Sequence, residues 1–233
     1  MPPAPVVPSR RDRIRAQTLA EIREHGYAQI AEGGPAALSL NGIAKAMGMS
    51  GPALYRYVPS RDDLLATLVV ESYEDLGDAL TRAAAEARRR SPEGRVRAVA
   101  EAYRSWALAA PHRYRLVHGS TYGSGELDPQ RIIPAAQRSM ELILTALAEL
   151  APTVPGPRVT DPVLRRELIA WGASRSDDGP RDPGLLLLGL RTWTRLNGLI
   201  ALEIEGNFAQ MQIDPARLYR AEVDQIIEQR RSG

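Results

Sequence analysis

The residues best suited to chemistry stand together between positions 39 and 61. Ser50-Gly51-Pro52-Ala53-Leu54-Tyr55-Arg56-Tyr57 sets a guanidinium between two phenols on a short segment. Leu54 and Val58 are four apart and face a core, which leaves Tyr55, Arg56 and Tyr57 projecting outward. An Arg in that position pairs bidentately with a guanine edge or with a phosphate. Ser39 and Ser50 each start a helical pattern, where a hydroxyl caps the helix or meets a phosphate beside free backbone N–H groups. Gly51 and Pro52 allow another molecule close to the backbone. Arg61 opens the next helix and is placed to grip phosphate. Lys45 falls on the outer face of the preceding helix, near a nucleic-acid backbone or simply solvated.

Other chemistries lack their residues. There is no cysteine, so thiolate metal sites, disulfides and cysteine nucleophiles are excluded. His25, His112 and His118 have no metal-ligand spacing, and no G-x-S-x-G elbow occurs. The glycine-rich run Gly119–Gly125 lacks the Gly-Lys-Ser/Thr ending of a phosphate loop. No catalytic residue and no metal ligand is assigned.

Those polar residues need two short helices to hold them. Leu40, Ile43, Ala44 and Met47 fall on one apolar face behind Ser39, and Gly48 stops that helix in a left-handed turn. The second helix runs from Ser50 and is cut short by Pro59. Two helices joined by a glycine turn are what a helix-turn-helix requires, the first bracing and the second reading a DNA major groove. Helical patterns extend over most of the chain: about Arg10–Ala31, Ser60 to Arg90, Glu93–Ala109, His112–Val117, Gln130–Leu150, Asp161–Ala173, Pro183–Glu205 and Pro215–Arg230. Strand signals are poor, so the fold class is all-α.

Composition agrees. Hydrophobic residues are 44% and charged residues 25% of 233, which excludes wholesale disorder. The longest apolar run, around Leu185–Leu190, is far below the ~20 residues of a membrane span. Met1–Pro8 has no signal-peptide core, and a cytoplasmic location is expected. Residues 1–61 carry eight basic residues against four acidic ones, while the chain's net charge is only +2. A basic end on a nearly neutral body suits a polyanion partner. Arg10, Arg11, Arg13 and Arg15 suggest a flexible, salt-sensitive arm, or a disordered one without contacts.

The segment Leu38–Leu65, LSLNGIAKAMGMSGPALYRYVPSRDDLL, resembles the DNA-binding domain of TetR-family bacterial repressors. It supplies Ile43-Ala44, Gly48-Met49-Ser50, Leu54-Tyr55-Arg56-Tyr57, Arg61-Asp62 and Leu64-Leu65, with Val58 where that family has Phe. A second segment, Trp193-Thr194-Arg195-Leu196-Asn197-Gly198-Leu199 with Leu202-Glu203 and Gly206-Asn207-Phe208, resembles one C-terminal domain type of the family, whose signature reads Trp, His-Gly, Leu-Glu, Gly-x-Phe. Here Asn197 replaces the His.

The resemblance implies a helix-turn-helix domain over 1–61 and a helical regulatory, ligand-binding and dimerisation domain over 62–233. It implies that Tyr55 and Tyr57 contact phosphates or thymine methyls, Tyr55 being alternatively half-buried. It implies double-stranded operator DNA as partner, a homodimer through the helices near 183–205 and 215–230, and a small-molecule inducer with no cofactor. Tyr103, Trp106, Tyr114, His118, Tyr122, Trp171, Trp193 and Asn197 are candidates to line the ligand site, with core packing as the alternative for the aromatics. The competing readings are a helical enzyme and an architectural DNA-binding protein without an inducer.

Overall fold

The computed structural model describes residues 9–119, 127–150, 156–175 and 181–232. Among the described residues every α or β element is helical: α1 (Arg10–Gly33), α2 (Leu40–Ala46), α3 (Gly51–Tyr55), α4 (Arg61–Glu86), α5 (Pro92–Ala109), α6 (Pro111–His118), α7 (Pro129–Leu150), α8 (Pro162–Ala173), α9 (Pro183–Ile204) and α10 (Pro215–Ser232). Each helix from α5 to α10 begins on a proline, where the missing N–H costs nothing and the fixed φ suits the first turn. Side chains complete several of these starts: Ser91 accepts from Gly94 N, Asp161 from Val163 N and Leu164 N, and Asp182 from Gly184 N and Leu185 N. No helix among the described residues is long and apolar enough to cross a membrane.

The chain forms two compact units, Met1–Ser72 with His112–Ile132, and Tyr73–Pro111 with Ile133–Gly233. The division falls inside α4. In the first unit, Ile22, Ile30, Ile43, Leu54, Leu64, Leu65 and Leu68 are the buried core. Leu38, Leu64 and Leu68 converge on Gly26 of α1, so α1 and α4 meet there. Tyr27 donates its hydroxyl to the Leu68 carbonyl (3.0 Å) and meets the Ser72 hydroxyl at 3.3 Å. His112 packs edge-on against its ring, and the Arg113 guanidinium lies 4.3 Å from the ring centre. This pillar binds α6 to α1 and α4.

In the second unit, Leu80, Val99, Tyr103, Leu144, Leu147, Leu186, Leu196, Ile200 and Ile226 are buried. α9 buries Leu186, Leu188, Gly189, Thr192, Leu196 and Ile200 and turns Arg191, Thr194, Gly198 and Leu202 outward. On α10 the buried aromatic is Tyr219, whose hydroxyl donates to the Ala100 carbonyl at 2.8 Å, while Leu218 is only half-buried. Polar residues tie α9 to α5: Tyr103 bonds Asn197 at 3.3 Å, and Arg104 forms a two-pronged ion pair with Glu203, its Nε at 2.8 Å from Oε2. That pair holds the Arg104 pKa up, chiefly through the hydrogen bond to Glu203.

Candidate nucleic-acid interface

The reading unit is built by the cap, the turn and the apolar anchors. Ser39 accepts from Gly42 N at 3.2 Å and starts α2, and Gln29 of α1 fixes the Ser39 N–H at 2.8 Å. Gly48 adopts φ +63°, the left-handed conformation that favours glycine, and Met49 N bonds back to the Ala44 carbonyl. Leu54 has no exposure at all and Val58 is buried, so α3 is anchored through one side. Its opposite side carries Tyr55, 49% exposed, and Arg56, also exposed. Ser39, Lys45, Ser50 and Pro52 are exposed beside them, and Gly51 is partly so. At 49% exposure Tyr55 is also partly covered, so both readings of it stand.

Three expectations change. Ser50 occupies the cap position of α3 through its carbonyl, but its side chain makes no capping bond. Its hydroxyl remains available. Arg61, expected to grip phosphate, is committed inside its own domain: Nε donates to the Leu38 carbonyl at 3.1 Å, Nη2 to Pro35 at 2.7 Å and Nη1 to Asp62 at 3.3 Å. Three of the five guanidinium N–H groups are thus engaged, because the α1–α2 connection leaves carbonyls that need donors. The basic cluster at Arg10–Arg15 is not a flexible arm. It is the start of α1, locked by a capping box in which Asp12 N donates to Ser9 Oγ and Ser9 N donates to Asp12. Arg10, Arg11, Ile14 and Arg15 then share a groove with Arg56 and Tyr57, and the Arg15 guanidinium lies 5.2 Å from the Tyr57 ring centre. Gln29 was missed because it acts on Ser39 from ten residues away, and the contact of Arg15 with Tyr57 because it spans a longer gap.

A profile of bacterial regulatory proteins of the tetR family matches residues 22–68, and a tetracyclin repressor-like C-terminal domain profile matches residues 96–226. HTH-type transcriptional regulators of Mycobacterium bovis and Mycobacterium tuberculosis, Mb1846 and Rv1816, are each 35% identical over 225 residues, 95% of this chain and 95% of theirs. The chain belongs to the TetR family. It is a DNA-binding transcriptional regulator and not an enzyme. The crystal structure of regulatory protein SCO4313 matches at TM-score 0.76 and 37% identity, covering 94% of this chain and 98% of that one. The TetR-family regulator PfmR of Thermus thermophilus shares the fold at TM-score 0.57 and 20% identity, covering 89% and 97%.

In this TetR-family chain the residues expected around a ligand fall into four groups. Tyr103 and Asn197 bond one another in the second unit, where Tyr103 lines an apolar cavity of about 20 Å³ with Leu80, Val99, Leu147, Thr192 and Leu196. Trp106 donates its indole N–H to Asp75 at 3.0 Å. Trp171 and Trp193 pack on Met140, Leu144, Leu168 and Leu186, with the Arg175 guanidinium over Trp171. Tyr114 and His118 belong to the first unit, with ring centres 4.8 Å apart. Burial raises the Tyr114 pKa and lowers that of His118 to about 4, so His118 is neutral at pH 7. Tyr122 lies outside the described residues, as does most of the Gly119–Gly125 run. Among the described residues no group of three or more His, Asp or Glu could hold a metal ion.

Proposed function

We propose that this regulator is a repressor that binds a palindromic operator as a homodimer and is released by a small molecule. The reading head, residues 1–61, places α3 in the major groove. Tyr55 and Arg56 reach base edges or phosphates there. Ser39, Lys45, Ser50 and Tyr57 contact the backbone, and Gly51 and Pro52 allow close approach. Arg61 acts mainly by bracing the α1–α2 connection. The observation that carries this reading is the pairing of an unexposed Leu54 with the exposed Tyr55 and Arg56 next to it.

Residues 62–233 form the regulatory domain, and the segment Trp193–Phe208 supports assigning it to the Trp-His-Gly type with Asn in place of His. The dimer forms through α9 and α10. The outward stripe of α9 supports this: nothing lies within 4 Å of a Cβ added at Gly198, so a second copy can approach closely. Two reading heads then sit ~34–36 Å apart, one turn of DNA. The ligand lowers DNA affinity by favouring a conformer that breaks this spacing, a coupling of ~1–3 kcal/mol. The protein acts in the cytoplasm.

The small volume of the interior cavity favours a second reading, a DNA-binding regulator with no interior ligand. Selection of fragmented genomic DNA on purified protein, beside Tyr55→Ala and Arg56→Ala, tests the first. A palindromic site retained by wild type and lost by both variants is the expected result. No enrichment at low or moderate salt would overturn it.

A further inference from the structure

Among the described helical threonines Thr192 is the buried one, whereas Thr145 of α7 is exposed to water. Thr18, Thr67 and Thr81 each donate the hydroxyl to the carbonyl four residues back, and Thr194 donates to Arg191 three back. Thr192 is only 4% exposed, and its Oγ1 has no hydrogen-bond partner. A buried hydroxyl without a partner carries a full desolvation cost, so it signals a partner that is absent or a function that tolerates the cost. The small cavity on one side leaves it unpaired too, because the Tyr103 hydroxyl that lines that cavity donates to Asn197.

On its other side Thr192 lines a pocket of about 300 Å³ between α9 and α10, with Pro157, Leu188, Arg191, Arg195, Gln229 and Arg230. Three guanidinium groups line it, and none of its lining residues is acidic. Two of the three are held in place. Arg195 is paired with Glu222 and donates to Gln229 (3.2 Å) and Gln225 (3.3 Å). Arg230 is buried and donates to the Leu147 carbonyl at 3.1 Å. Because the Gln229 carbonyl accepts from Arg195, its NH2 remains a donor. Arg191 is exposed, and among the described residues its side chain has no ion-pair or hydrogen-bond partner. Fixed and free cations beside an orphan hydroxyl, walled by Leu188 and Pro157, describe a receptor for an anion with an apolar body.

We infer that the α9–α10 pocket binds a small organic carboxylate, its head on Arg191, Arg230 and the Thr192 hydroxyl and its body against Leu188 and Pro157. The volume is at the low end of ligand pockets, which limits the guest to a short chain or a single ring. Nothing in this assignment depends on the DNA-binding role.

Titration calorimetry on the full chain with sodium octanoate, at constant ionic strength, tests it. Inorganic phosphate is the second titrant, an anion without an apolar body. Octanoate binds saturably, and phosphate at least about tenfold more weakly. Thr192→Val separates this site from a structural role. The isosteric change removes an unpaired hydroxyl, so the free variant melts at a higher temperature than wild type while its octanoate Kd rises about tenfold. Thr192→Ser restores the affinity. Arg191→Gln weakens octanoate by a similar factor. The inference is overturned if octanoate shows no saturable binding at millimolar concentration, if both variants bind it as wild type does, or if phosphate binds as tightly.

Discussion

At the scale of single residues, Arg56 and Lys45 separate reading from holding. If Arg56 pairs with a guanine, Arg56→Ala costs about 1–3 kcal/mol and relaxes preference at one base position. If Lys45 meets only phosphate, Lys45→Ala weakens all sequences alike and lowers the salt slope by about 1. Fluorescence titrations of operator and scrambled DNA over a salt series distinguish the two. His118 supplies a pH test. Its pKa is about 4 in the folded chain and 6.5 ordinarily, so the unfolded chain binds the proton more readily. The stability present above pH 6.5 is lost as pH falls toward 4, by up to ~3 kcal/mol from this residue. Urea denaturation at pH 7 and pH 4.5 measures the loss, and His118→Asn reduces it. The types of the reading residues were legible in the sequence, since Leu54, Tyr55 and Arg56 alternate between core and solvent within one turn. The contacts of Arg61 with Leu38 and Pro35, of Arg15 with Tyr57 and of Gln29 with Ser39 were not, because those partners lie at least ten residues away and no local pattern encodes them.

At the scale of elements, caps and prolines made the helix starts readable almost to the residue, while the helix expected to reach Arg90 ends at Glu86. Six prolines stand where six helices begin, and Ser39, Ser91, Asp161 and Asp182 cap as their types suggest. The start of α1 reads two ways in the sequence, as a helix from about Arg10 and as an arginine arm, and the capping box of Ser9 and Asp12 makes it helix. Ser9→Ala then costs ~1 kcal/mol of stability. It also frays the turn that carries Arg10 and Arg11, so DNA affinity falls more than that cost predicts; hydrogen exchange over residues 10–15 reports the fraying. The α5–α9 contact is a different case. The sequence marked Asn197 and Glu203 as signature residues, but their partners Tyr103 and Arg104 lie on another helix. Both members of the Arg104–Glu203 pair are largely buried, at 12% and 13% side-chain exposure. Glu203→Ala removes the buried partner of Arg104, leaves only the longer contact to Glu101 at 3.7 Å, and destabilises the chain by about 3 kcal/mol, read as a lower urea midpoint with an unchanged slope.

At the scale of the whole molecule, the compact units do not follow the functional division proposed at residue 61. Leu64, Leu65 and Leu68 belong to the core of the first unit, and α6 packs on Tyr27 from fifty residues beyond it. A fragment of residues 1–61 therefore has little helix by circular dichroism, although it contains every proposed DNA contact. Gly198→Arg tests the association of two copies. A large cation on the outward stripe of α9 shifts the protein to a monomer in analytical ultracentrifugation and lowers operator affinity at least tenfold, without loss of helix content. The chain also has a single lysine, and that lysine is exposed at the last turn of α2. Amine-reactive dyes consequently find one side chain in the protein, beside the recognition helix. A fluorophore placed there reports occupancy of the reading head in real time, with no engineered residue.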